Sequence, residues 1–166
     1  MLIFSIVGVI IALLEVAFAI YKYVKETKRR RCSETINTYN KIFRDTYELR
    51  EKYYNITNEN LFNSQKIHQN EELCKLTMNH LTYLESFAKG LEYEVYDFKT
   101  FVYLTPNELF EILNSLKQFV YDERNSKSYP LLFNDFIRLT DVMSLCIQKK
   151  LNGQVKWGRY TKLRSI

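Results

Sequence analysis

The 166-residue chain is short of the residues that interrupt helices: it has four glycines and two prolines, and none of either between Val9 and Lys89. So few glycines leave no phosphate-cradling loop, since such loops need several positions without a Cβ. Two histidines, His68 and His80, and three cysteines, Cys32, Cys74 and Cys146, fall in no His-Glu-x-x-His or paired-cysteine spacing. A spacing-based reading therefore yields no metal ligand set and no disulfide framework, and the odd, scattered cysteines read as reduced, buried thiols. Serines, aspartates and glutamates are plentiful but form no readable triad or carboxylate pair. No catalytic residue, cofactor or metal is assigned, and the chain is not read as an enzyme. His80 reads as a packed or capping histidine on a helix.

What the chain has instead is an apolar beginning. Residues 2–20 contain only Ser5 and Glu15 as polar side chains, and Tyr21 and Tyr23 follow. Twenty helical residues rise about 30 Å, the thickness of a bilayer's hydrocarbon core. The collar Lys22, Lys25, Lys28, Arg29, Arg30 and Arg31 follows at once, offset only by Glu26. This pattern predicts a transmembrane helix and basic collar over residues 1–31, with the collar at the membrane surface against anionic lipid. The positive-inside rule then makes this a single-pass protein with its N-terminus outside and the C-terminal domain cytoplasmic. Along the helix, Ser5, Gly8, Ala12, Glu15, Ala19 and Lys22 recur at intervals of three and four. Small and polar residues on one stripe predict an inter-subunit seam or pore lining in a homo-oligomer of many copies.

Charge is divided along the chain. The net charge is +5; the collar contributes +5 and residues 149–166 contribute +6, which leaves −6 for the rest. The body, 32–153, is rich in Tyr, Phe, Asn, Lys and Leu, and predicts an all-α bundle of about four helices. The first helix continues out of the collar to about Tyr53, with a bend expected near Ser33. Residues 55–69 read as a linker or short helix. Glu71–Lys89 is strongly amphipathic, with Gly90 as its C-cap. Asp97 caps a short helix through Tyr103. Thr105-Pro106-Asn107-Glu108 reads as a capping box that opens a helix to Arg124. Ser128-Tyr129-Pro130 opens the last helix, which Gly153 ends. The tail, 154–166, interleaves Lys156, Trp157, Arg159, Tyr160, Lys162 and Arg164, a pattern suited to contact with RNA or a partner protein.

The segment MNHLTYLESFAKGL at 78–91, followed by Val95-Tyr96-Asp97, resembles bacterial single-span proteins of unknown function; Arg124, Tyr129-Pro130, Phe133 and Phe136 fit the same pattern. In that likeness Glu85 and Asp97 cap or bridge, and Gly90 allows a turn. The organisation is also similar to the membrane accessory proteins of type VI-B, RNA-targeting CRISPR systems. That resemblance implies an oligomeric pore that depolarises the inner membrane during antiphage defence, acting beside an RNA-guided effector complex. It also implies a bundle diverged from small helical RNases. Those RNases use an Arg followed by a His four to six residues later, and neither His68 nor His80 has such an arginine. The alternative is a membrane-tethered adaptor holding a partner protein or RNA through the basic tail; a membrane-bound RNase working through His80 ranks last.

Overall fold

A computed structural model describes the backbone of residues 2–151 and the side chains of residues 11–147. Among these residues the chain forms six α-helices and no strand: α1 Leu2–Thr57, α2 Ser64–His68, α3 Glu71–Glu92, α4 Phe98–Leu104, α5 Asn107–Lys127 and α6 Asn134–Leu151. The long first helix follows from the absence of helix breakers. It passes the collar and Ser33 as one uninterrupted 56-residue helix, about 84 Å at the usual rise.

The second half of α1 builds the core. Thr35, Tyr39, Ile42, Thr46, Leu49 and Tyr53 are buried, and their alternating steps of four and three make one stripe. Leu73, Leu81, Leu84 and Phe87 of α3, Ile112, Leu116 and Phe119 of α5, and Phe136 and Met143 of α6 close over it. Each such Leu or Phe, fully buried, contributes about 1.5–3 kcal/mol against chain entropy. Buried hydroxyls find partners across the layers. Tyr39 donates to the Leu104 carbonyl at 2.9 Å. Tyr53 donates to Glu59 at 2.9 Å while accepting from the Asn63 amide at 3.0 Å.

Asn63, Asn70 and Asp97 accept amide hydrogen bonds at the starts of α2, α3 and α4. The expected capping box at Thr105 does not form. Thr105 instead ends α4, its hydroxyl donating to the Phe101 carbonyl at 2.8 Å, and Glu108 is taken by Arg50 of α1 at 2.7 Å. Ser128 closes α5 rather than opening the last helix. The start of α6 is capped from a distance: Glu85 of α3 accepts from the amides of Asp135 at 3.2 Å and Phe136 at 2.7 Å. Gly90 is not a C-cap either. It lies inside α3, where a Cβ would stand 2.5 Å from the Tyr96 ring. The left-handed residue after α3 is Glu94, at φ 57°, held by Arg31 at 3.1 Å.

The expectation of an N-terminal transmembrane helix is corrected. Among the described residues no helix is long and apolar enough to cross a membrane. Among the described side chains, the apolar residues Ile11–Ile20 are interrupted by Glu15 and followed directly by Lys22 and Lys25. The helix then runs on unbroken into charged and core-forming residues. With the span goes the assignment to the bacterial inner membrane in a single pass, N-terminus outside.

Candidate functional site

The bundle leaves residues 11–30 of α1 bare. From Ile11 to Arg30 every residue is exposed except Thr27, which is half-buried. Leu13 is 64% and Phe18 68% exposed. Ala12, Glu15, Ala19 and Lys22, predicted to share a stripe, do lie on this bare stretch; the side chains of Ser5 and Gly8 fall outside the described residues. Of the collar, Lys25 approaches the Tyr21 ring at 6.0 Å and Arg31 is tied to Glu94. Lys22, Lys28, Arg29 and Arg30 carry no ion pair among the described residues. The tail residues Lys156, Trp157, Arg159, Tyr160, Lys162 and Arg164 also lie outside the described residues.

The buried stripe of α1 has a continuation that the sequence reading missed. From Thr35 toward the N-terminus, the same threes and fours give Cys32, Lys28, Lys25, Tyr21, Phe18, Leu14 and Ile11. The same heptad spacing therefore continues past the bundle's edge as the apolar seam Ile11, Leu14, Phe18 and Tyr21, which turns about 20° per heptad around the helix axis relative to the buried face. The stripe of Ala12, Glu15, Ala19 and Lys22 is its flank, one residue further round. The signal in the sequence is a seven-residue period shared by both halves of the helix, and the length of the apolar run masks it.

His80 sits on α3 facing α1. It is 8% exposed, and its Nε2 is 3.0 Å from the Thr46 hydroxyl. Burial pushes its pKa down to about 4, partly opposed by the Asp45 carboxylate. A hydroxyl beside a neutral imidazole is the geometry of an activated nucleophile, but Thr46 is fully buried. The adjoining cleft of about 300 Å³ is lined by Lys41, Asp45, Lys52, Asn79 and Tyr83 as well as His80, and Lys41 lies over the Tyr83 ring at 4.4 Å. The pair joins α1 to α3 rather than presenting an attacking atom to that cleft.

A second cluster is invisible to spacing rules because it is assembled from three helices. His68 ends α2, Cys74 lies in the first turn of α3, and Glu123 belongs to α5. One donor atom from each lies within 4.8 Å of the other two. The His68 ring stacks on Phe119 at 4.9 Å, and its Nδ1 is 3.6 Å from Glu123 Oε1. Glu123 is 4% exposed. Its Oε2 is 2.5 Å from the Lys127 ammonium without accepting an aligned hydrogen bond. Burial first, and the Glu123 carboxylate second, push the Cys74 thiol pKa up.

Residues 5–142 match the model of the family described as a domain of unknown function, DUF4760, and the chain belongs to that family. No curated protein and no solved structure matches it.

Proposed function

We propose that this DUF4760 chain is a binding module rather than an enzyme, and that it self-associates through the bare stretch of α1 from Ile11 to Arg30. The observation that carries this reading is the shared seam. The heptad spacing that is buried in the bundle from Thr35 to Tyr53 continues as Ile11, Leu14, Phe18 and Tyr21, all exposed. An apolar helix face gains by burial, and a large exposed apolar patch marks an interaction site.

A second copy of the chain suits this surface. A two-fold interface places the same patch on both sides, so it must complement itself. Glu15 and Lys22 lie seven residues apart on the flank of the seam, where each offers the charge the other needs when two helices run in opposite directions. Ala12 and Ala19, on the same flank, let the backbones approach, since a methyl holds neighbouring helices apart less than any longer side chain.

The test is the mass of the full chain by light scattering as a function of concentration. The intact protein is expected to associate, and Leu14→Lys with Phe18→Lys to be monomeric with an unchanged helical signal. Glu15→Lys should weaken association, and adding Lys22→Glu should restore it. A monomer at every concentration, or association indifferent to these changes, would overturn the proposal.

A further inference from the structure

We infer that His68, Cys74 and Glu123 form a binding site for a zinc-type divalent cation, with a water molecule as the fourth ligand. The donor set is one imidazole nitrogen, one sulfur and one carboxylate oxygen. Three such ligands and an open position match the pattern of zinc sites that keep an exchangeable ligand. Tetrahedral donors about 2.0–2.3 Å from zinc lie about 3.3–3.8 Å apart. His68 Nδ1 and Glu123 Oε1 are at 3.6 Å already, too long for a hydrogen bond and right for two ligands of one ion. Cys74 is half-buried, and its sulfur lies within 4.8 Å of the other two donors.

Glu123 supplies the second, independent observation. A carboxylate so deeply buried is costly unless it is paired and hydrogen-bonded, yet Oε2 has no aligned donor. Its partner, Lys127, is 48% exposed along its side chain and reaches in from solvent. The ammonium meets the carboxylate at Oε2, beside the Oε1 that faces His68, and it can withdraw to water when an ion binds. The His68 side chain is 36% exposed, which gives an ion a way in. Phe119 holds the ring from the other side. The site would cross-link α2, α3 and α5, three elements brought together only by the fold.

The test is titration of the full chain with zinc by calorimetry and with cobalt(II) by absorption. One ion per chain is expected, with a thiolate-to-cobalt charge-transfer band and the intense visible bands of tetrahedral cobalt. His68→Gln and Cys74→Ser should each weaken binding about 100-fold or more, and Cys74→Ser should remove the charge-transfer band. Lys127→Gln should tighten binding by about tenfold, because a like charge beside the ion is gone. His68→Gln and Cys74→Ser alter partly exposed side chains, so a retained helical signal separates lost ligation from lost fold. No binding by the intact chain, a band that survives Cys74→Ser, or an affinity unmoved by His68→Gln would each overturn the assignment.

Discussion

His80 makes the fold sensitive to mild acid. In the folded chain its pKa lies at about 4, because burial disfavours the imidazolium; in an unfolded chain it returns to about 6.5. Well above pH 6.5 the group is neutral in both states and contributes nothing to the pH dependence. Below that, the unfolded chain takes up a proton that the folded chain refuses, so stability falls until about pH 4, where both are protonated. Between about pH 7.5 and pH 5.0 the loss from this one residue is about 2 kcal/mol. Stopping at about pH 5.0 keeps most carboxylates ionised, so their titration contributes little. Urea unfolding followed by circular dichroism at the two pH values measures the loss, and His80→Gln removes it while leaving Thr46 a polar partner. The quantity of interest is the difference between the two proteins' pH-dependent losses. An equal loss in His80→Gln and the parent would refute the reasoning, as would an imidazole proton resonance of His80 that titrates above about pH 6.

The joints of the bundle give three more measurable outcomes. Glu85→Ala leaves two amides at the start of α6 without their acceptor and should cost about 1–3 kcal/mol in urea unfolding. Gly90→Ala drives a methyl into the Tyr96 ring and should cost about 1–3 kcal/mol; Tyr96→Ala in the same chain should make the added methyl harmless, which a double-mutant cycle reads directly. Ser128 ends α5 at φ 56°, so Ser128→Gly should raise the urea midpoint, worth about 1 kcal/mol, by relieving left-handed strain.

Local signals in the sequence carry well where only neighbours decide. Asp97 caps α4, as its position before a short apolar helix implies, and the lack of breakers yields one long first helix. They fail where a distant partner intervenes. Thr105 and Glu108 have the spacing of a capping box, but Thr105 closes α4 and Arg50 of α1 captures Glu108. Gly90 has the look of a helix end, and is a glycine because a ring from beyond the helix presses on it. Glu85 caps a helix about fifty residues away, and no local window of sequence contains both. His68, Cys74 and Glu123 meet only because α2 and α3 fold back on α5. Reading residues 2–21 as a membrane span counts apolar residues; it leaves out the period that joins this segment to the core-forming half of the same helix.

That continuity gives chain length an angular meaning. Each residue of an α-helix turns about 100°, and α1 has no joint between its bare seam and its buried one. One residue inserted near the collar would swing the seam a quarter-turn and more around the axis, while the bundle stayed where it is. Seven residues inserted at the same place would return it almost to its starting direction, about 10 Å further out. The helix thus behaves as an indexed shaft, fixing both the reach of the seam and the direction in which it faces.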